Sequence, residues 1–200
     1  MTIRICKAEG CLELPLGLGP TSTVSEPTAD ATSDDAAVVA AARAGNRSAF
    51  GLLYERYARM VHGVLLARVP AHEVDDLVHD VFLQALRHLH SLRDTRAFGG
   101  WLCMITRNRA TDYHRRPPAS EELPDNLIGQ RGPDPAALSA LKAIRGLPEA
   151  YRETLILRFV EGYTGPEIAA RTGLKPASVR VNLHRGMKQL REILGKVAQP

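Results

Sequence analysis

The chain has 200 residues, of which 44% are hydrophobic, and a formal net charge of +4; this is enough apolar material for one globular domain or two small ones. Its three cysteines are too few for a disulfide framework, so we expect a reducing, cytoplasmic location. No apolar run approaches the length of a bilayer span, and we expect no membrane insertion.

Charge is distributed unevenly along the chain. Residues 1–37 carry two basic and six acidic side chains, and residues 117–137 carry one and four. Residues 38–116 carry twelve basic and seven acidic side chains, and residues 138–200 carry eleven and five. Two basic blocks separated by an acidic spacer are typical of two modules that bind a polyanion, joined by a connector that does not. Ordinary fluctuation of charge along the chain is the alternative.

The N-terminal part of the chain predicts little regular structure. Residues 19–35 are rich in Ser, Thr, Pro and Asp, so we expect residues 1–35 to form a disordered extension or to include a misassigned translation start. Helical signals follow. Ser33 or Asp34 can cap a first helix that ends at Gly45, and a second helix begins at Ser48 and is halted by Pro70.

A third helix is predicted within residues 72–92, and its two faces differ. Its apolar stripe, at i, i+3, i+4 and i+7 spacing, consists of Val74, Leu77, Val78, Val81, Phe82, Ala85, Leu86 and Leu89. The opposite face carries Asp76, His79, Asp80, Leu83 and Arg87. A leucine exposed among carboxylates suits a protein partner, although single exposed leucines are common. A metal site along this acidic, His-containing helix is the weaker alternative, because the spacing does not make the ligands converge.

A fourth helix, over residues 97–116, must end at Pro117 and Pro118. We predict Trp101 and Cys103 to lie in or near the core, because both fall within its apolar pattern. Residues 117–137 form a Pro-, Gly- and acid-rich linker. Further helices follow, the last two of them short. No sustained alternation argues for a sheet, so the sequence predicts an all-α fold of two small helical domains joined by a flexible linker.

The spacing of Ala169, Gly173 and Val179 is that of a helix-turn-helix. Helices that cross closely need a small residue in the first, a residue tolerant of positive φ at the turn, and an apolar residue of the second helix to fill the angle. Pro176 suits the start of that second helix. An ordinary helical hairpin, in which the same residues serve only packing, is the alternative.

If the second helix of this motif enters a DNA major groove, its early residues face base edges and its basic residues flank phosphates. Arg180 would then bind guanine or phosphate, and Asn182 would pair with adenine. Arg185 and Lys188 would hold the backbone, unless they form only a solvated helix end. The predicted DNA-contacting set is Lys175, Ser178, Val179, Arg180, Asn182, Arg185 and Lys188.

Three longer stretches resemble one protein family. They are DDLVHDVFLQALRHL, AFGGWLCMITRNRATDYHRR and LPEAYRETLILRFVEGYTGPEIAARTGLKPASVRVNLHRGMKQLRE. Over about residues 36–194 the chain resembles a bacterial RNA polymerase sigma factor of the sigma-70 family, of the extracytoplasmic-function (ECF) type. The resemblance implies a factor that has no catalysis or cofactor of its own and directs core RNA polymerase to promoters. A stand-alone helix-turn-helix regulator is the alternative, but it would not need the first two stretches.

The resemblance also implies roles for particular residues. The first domain, residues 36–116, would dock on the β′ clamp through Asp76, Leu77, His79, Asp80 and Leu83. It would recognise and open the −10 element through Arg107, Asn108, Arg109, Arg115 and Arg116, with a flipped base held by the loop at residues 91–98. The second domain, residues 138–196, would read the −35 element beside the β flap, and Val181 and Asn182 depart there from the family's Ser and Arg. Family members commonly bind an anti-sigma factor as well.

Overall fold

A computed structural model describes the backbone of residues 2–7, 10–15, 31–115 and 135–197 and the side chains within 35–115 and 139–195. The predicted leader lies outside these ranges at residues 1, 8–9 and 16–30, and the predicted linker does so at residues 117–134. In the described part of the leader, Thr2–Lys7 (β1) and Gly10–Pro15 (β2) pair as an antiparallel hairpin.

The hairpin differs from the disorder predicted for residues 1–35. Its register makes Ile3 the partner of Leu14 and Ile5 the partner of Leu12. The apolar residues of each six-residue strand therefore alternate with Arg4 or other polar neighbours, a pattern that suits a strand but is too short to identify one from the sequence.

Eight α-helices occupy the rest of the described chain, joined in part by 3₁₀ turns at Ala71–Glu73, Leu89–Ser91 and Thr95–Ala97. They are α1 (Ala31–Arg43), α2 (Arg47–Leu66), α3 (Val74–His88), α4 (Phe98–Arg115), α5 (Pro135–Arg145), α6 (Glu149–Phe159), α7 (Gly165–Thr172) and α8 (Pro176–Val197). The all-α, two-domain prediction is confirmed for these helices, whereas the last helix, predicted to be short, has 22 residues. No helix in the described ranges has the length and apolar character needed to cross a bilayer.

The first domain, α1–α4, packs around α2. Asn46 begins α2 by accepting a hydrogen bond from the Ala49 amide at 3.1 Å, as a helix cap does. The apolar stripe of α3 is buried against α2 and α4, except that Leu86 is 49% exposed. At about 100° per residue, Leu86 lies roughly 40° beyond Phe82, outside the buried arc of the helix. Its predicted place in the core is therefore wrong.

The second domain, α5–α8, contains the predicted helix-turn-helix in α7 and α8. Thr164 and Glu167 form a reciprocal capping box at the start of α7. Gly173 ends α7 with a left-handed φ of 72°, and its amide donates to the Ala169 carbonyl at 3.0 Å. Ala169 and Val179 are buried in the angle between the two helices. The local geometry of the motif is therefore the one that its spacing predicted.

The two domains pack directly against each other, with α2 and α4 facing α6 and α7. Glycines permit this close approach. A Cβ added at Gly63 of α2 would lie 2.7 Å from Glu161 Cγ, and one at Gly99 of α4 would lie 2.6 Å from the Arg171 carbonyl oxygen. Two modules held apart by a linker would not meet in this way, so the contact is a feature that the sequence did not predict.

Within the second domain, Gly186 is where α8 crosses α6. A Cβ there would lie 3.1 Å from Leu155 Cδ1 and 3.1 Å from Tyr151 Cβ, whereas Gly195 of the same helix has nothing within 4 Å. Gly186→Leu should lower the free energy of unfolding by about 1–3 kcal/mol through overpacking, and Gly195→Leu should not lower it. Urea denaturation of both variants measures the difference. Equal stability would mean that α8 does not cross α6 at Gly186.

Candidate nucleic-acid interface

The exposed face of α8 carries most of the predicted DNA-contacting set. Arg180, Arg185 and Lys188 are exposed, as are Lys175 and Ser178 at the start of the helix, while Asn182 is half-buried. No carboxylate of the described residues pairs with Arg180, Arg185 or Lys188. These three charges are therefore available to a polyanion.

Val179 does not belong to this set. Its side chain is 1% exposed and fills the angle of the helix-turn-helix, so its predicted contact with DNA is wrong and only its packing role stands. Val181, in contrast, is 43% exposed. On a helical projection it lies between Arg185 and Lys188 on the outer face. Val181 is thus an additional candidate, whose only signal in the sequence was its departure from the family pattern.

The basic residues of α4 differ in their availability. Arg107 is held by Glu153 of α6 through bonds of 2.7 Å (Nη2 to Oε1) and 3.2 Å (Nε to Oε2). Arg109 pairs with Asp80 of α3. Asn108 is exposed, and Arg115, also exposed, lies 3.8 Å from Asp112. Arg116 lies outside the described residues. Two of the predicted −10 arginines are therefore engaged within the protein.

The acidic face of α3 presents a mixed surface of carboxylates and leucines. Asp76 and His79 are exposed, and Leu83 is 52% exposed. Leu86 adjoins Leu83 one turn along the helix and widens the apolar part of this face. Leu77 is 5% exposed, so its predicted contact with the polymerase is wrong: it packs in the core. The apolar spacing predicts Leu86 to be in the core and not on this surface, because the residue lies at the edge of the apolar stripe.

A cavity of about 510 Å³ lies beside the predicted base-flipping loop. It is lined by Ser91, Leu92, Arg93, Asp94, Arg96, Ala97, Gly100, Trp101 and Met104 of the first domain and by Ala170 and Gly173 of the second. Asp94 shapes the loop by accepting from the Arg96 amide at 2.9 Å. Trp101 packs against Phe98, with ring centroids 5.9 Å apart. It is half-buried and borders both the core and the cavity.

Two buried carboxylates of the second domain bind basic groups of the first. Glu153 is 3% exposed and accepts from Arg107 and also from Arg68 Nη2 at 2.8 Å. Burial alone would lower the pKa of Arg107, but its hydrogen bonds to Glu153 outweigh that effect and raise it. Glu161 is 7% exposed and lies 2.7 Å from His62 Nδ1. Both carboxylates are therefore paired with basic side chains of the other domain.

Two arginines of the second domain form further contacts across the same interface. Arg145 donates to the carbonyls of Leu66 and Val69 at 3.1 and 3.0 Å. Arg171 donates to the Arg56 carbonyl at 2.6 Å, and its guanidinium lies 5.2 Å from the centre of the Tyr57 ring. The interface is thus rich in arginine bonds to main-chain and carboxylate oxygens.

Comparisons with known proteins agree on one family. A family model described as "Sigma-70 region 2" matches residues 53–117, and one described as "Sigma-70, region 4" matches residues 137–190. The ECF RNA polymerase sigma-E factor of Escherichia coli K12 is 31% identical over 185 residues, covering 83% of this chain and 95% of that protein.

Two further relatives agree with this. The RNA polymerase sigma factor SigZ of Bacillus subtilis 168 is 32% identical over 127 residues, or 60% of this chain and 72% of that protein. The solved structure of CnrH in complex with the cytosolic domain of CnrY superposes with a TM-score of 0.57 and 28% identity, over 81% of this chain and 97% of CnrH.

The contact between His62 and Glu161 makes the stability of this interface depend on pH. Its hydrogen bond raises the pKa of His62 even though burial opposes the shift, and Asp75 adds to the increase. A group whose pKa is raised on folding stabilises the folded state below its unfolded pKa of about 6.5, and this stabilisation is lost as pH rises through the folded pKa. The wild type should therefore exceed His62→Gln in free energy of unfolding most at acidic pH.

Urea denaturation of both proteins between about pH 5.5 and pH 9 measures this difference. We expect it to shrink steadily with pH and to reach a constant value once His62 is neutral. A difference that does not change with pH would show that His62 does not share a proton with Glu161.

Proposed function

The chain belongs to the ECF RNA polymerase sigma factors, and we infer from the surfaces described above how it performs their function. It binds core RNA polymerase and directs it to promoters for transcription initiation. The observation that carries this function is the presence of both sigma domains, in family order, in one chain. A stand-alone helix-turn-helix regulator would not need the first of them.

For the −35 element, we propose that the exposed face of α8 enters the major groove. Arg180 and Asn182 read base edges, because these side chains form the hydrogen bonds that distinguish guanine and adenine. Arg185 and Lys188 hold the phosphates on either side. Val181 offers an apolar contact of the kind that the thymine methyl group accepts. This domain, residues 138–196, also faces the β flap.

For the polymerase, we propose that α3 of the first domain, residues 36–116, docks on the β′ clamp. Leu83 and Leu86 form the apolar centre of the contact, and Asp76, His79 and Asp80 surround it with polar groups. An apolar centre with a polar rim is the usual arrangement of a protein interface.

For the −10 element, Asn108 and Arg115 are available on α4 in the conformation described here. Arg107 and Arg109 can join them only by exchanging their carboxylate partners for phosphates. The cavity beside residues 91–98 is the site that we assign to a flipped base, since extrusion needs a pocket to offset the loss of stacking. With no catalytic role of its own, the factor works in the cytoplasm with the polymerase.

We also propose a protein partner that regulates this chain. The relative CnrH binds the cytosolic domain of a second protein, CnrY. By similarity, an anti-sigma factor would cover surfaces of both domains here and keep them from polymerase and promoter.

The proposed clamp contact can be tested at Leu83. Leu83→Asp should weaken binding to core polymerase by roughly 10- to 100-fold, because it replaces an apolar contact worth about 1.5–3 kcal/mol by a charge. Leu52→Asp is a matched control, since Leu52 is 45% exposed in the same domain but lies on α2. Competition binding with labelled wild-type factor gives the affinities, and run-off transcription from a matched promoter gives the function. Core binding by Leu83→Asp equal to that of Leu52→Asp would contradict the assignment.

The proposed roles of α8 residues, base recognition by Asn182 and phosphate binding by Lys188, can be tested separately. Asn182→Ala should relax the preference at one base position of the −35 element by about 1–3 kcal/mol. Lys188→Ala should weaken binding to every sequence alike and reduce its dependence on salt. Holoenzyme binding to a panel of single-base promoter variants at two salt concentrations separates these effects. An unchanged base preference would remove Asn182 from the reading residues.

A further inference from the structure

Helix α1, Ala31–Arg43, lies outside both segments that the sigma-70 family models match, residues 53–117 and 137–190. It nevertheless contacts the loop at residues 91–98, because α1 packs against the 3₁₀ turn of that loop as well as against α2. Val39, near the middle of α1, is fully buried by this packing. A helix without an assigned role therefore touches the loop to which we assign a flipped base.

The C-terminal end of α1 holds the start of the loop through Arg43. Its Nη1 donates a hydrogen bond to the Leu92 carbonyl at 2.9 Å, across 49 residues of sequence. Leu92 is the residue at which the 3₁₀ turn Leu89–Ser91 ends, with a ψ of 111°. A cation at a helix C-terminus gains a little from the helix dipole wherever its side chain lies. This bond, in contrast, ties Arg43 to one particular main-chain atom of the loop.

The N-terminal part of α1 holds the end of the same loop through Asp35. Asp35 accepts hydrogen bonds from the Tyr57 hydroxyl at 2.7 Å and from Arg56 Nη1 at 2.5 Å. The Tyr57 ring packs edge-on against Phe98, with ring centroids 5.1 Å apart. Phe98 is the first residue of α4 and is 1% exposed. Helix α1 is thus connected to both ends of the loop, directly at Leu92 and through Tyr57 at Phe98.

Between these two ends, the loop has little structure of its own. Its single 3₁₀ turn, Thr95–Ala97, is capped by Asp94, which accepts from the Arg96 amide at 2.9 Å. The side chains of Arg93, Asp94 and Arg96 are exposed at the cavity. One short 3₁₀ turn has few hydrogen bonds with which to fix such side chains. Ordering them only when a base binds would cost free energy and reduce selectivity, so the loop needs support from its neighbours.

We propose that α1 supports the loop at residues 91–98, and that Arg43 and Asp35 are positioning residues for base selection in the −10 element. Neither residue touches DNA; they act through Leu92 and Phe98. The proposal rests on the assignment of this loop to the flipped base. Loss of either contact makes the loop more mobile and weakens selection at one base position. The surfaces for the clamp and the −35 element lie on α3 and α8 and are not affected.

Four variants separate this role from a general effect on the fold. Arg43→Ala removes the bond to Leu92, and Arg43→Lys keeps a cationic donor on a long side chain. Arg47→Ala is the matched control, because Arg47 is also exposed and forms no hydrogen bond or ion pair with residues in the described ranges. Tyr57→Phe removes the hydroxyl that binds Asp35 but keeps the ring that packs against Phe98.

Hydrogen exchange of the full chain, without DNA or polymerase, tests the support itself. Amides of residues 92–97 should exchange about 3- to 10-fold faster in Arg43→Ala than in Arg47→Ala, because one hydrogen bond from a charged group is lost. Amides of α8 should exchange at the same rate in both variants. Equal exchange of the loop in the two variants would overturn the proposal. Faster exchange throughout the chain would also overturn it, because Arg43 would then stabilise the fold in general.

Base selection is measured with holoenzyme and single-stranded oligonucleotides of the −10 element in which each position is randomised in turn. Arg43→Ala should reduce the preference at one position about 3- to 10-fold. Arg43→Lys should keep part of that preference, Tyr57→Phe should lose less at the same position, and Arg47→Ala should match the wild type. An unchanged preference in Arg43→Ala, or an equal loss at every position and at the −35 element, would overturn the positioning role.

The wild type separates this proposal from the function on which it rests. Holoenzyme with wild-type factor that shows no base preference at any −10 position would contradict the assignment of the loop to a flipped base, and with it the role in selection. The exchange rates of Arg43→Ala and Arg47→Ala would still decide whether α1 holds the loop. Normal selection by the wild type with unaltered exchange in Arg43→Ala would overturn the support by α1 alone.

Discussion

The carboxylate of Glu153, held between Arg68 and Arg107, is the interaction on which the arrangement of the two domains depends. Only 4% of the Glu153 side chain is exposed, and a charge buried to this extent is costly unless it is paired. Both partners come from the first domain. The position of α6, and with it the whole helix-turn-helix, therefore depends on Arg107 of α4 and on Arg68, which follows the C-cap of α2. Gly63 and Gly99 only make that position sterically accessible.

The parts of the fold that follow local rules were predictable from the sequence. Helical period identified α2, α3 and α4, and the turn at Gly173 followed from the need for a residue that accepts positive φ. The basic outer face of α8 was also predictable, because residues on the side of the helix opposite the apolar Val179 are expected to be exposed. The predictions were wrong where a periodic pattern of apolar residues has no sharp limit or is too short. Leu86 sits at the edge of an apolar stripe, and the strands of the hairpin are too short for their alternation to stand out.

The contacts between the domains were not predictable, because they join residues distant in sequence. Glu153 lies 46 residues from Arg107 along the chain, beyond the linker. In the charge count, Glu153 was one of five acidic residues among the eleven basic ones of residues 138–200. Its neighbours in the sequence did not indicate that it is buried. The family resemblance assigned Arg107 to DNA without indicating that Glu153 would bind it. A charge tally describes which polymer a domain attracts, whereas the pairing of each charge depends on tertiary structure.

The packing of the two domains affects the two proposed DNA-binding surfaces differently. It engages Arg107 through Glu153 and places Ala170 and Gly173 beside the cavity. It leaves Arg180, Arg185 and Lys188 exposed on α8 without an acidic partner among the described residues. Attraction to duplex DNA through phosphates needs only such exposed charge. The charge that α8 offers to phosphates therefore does not depend on the first domain, whereas a phosphate can bind Arg107 in the same way only if Glu153 gives up its bonds to this arginine.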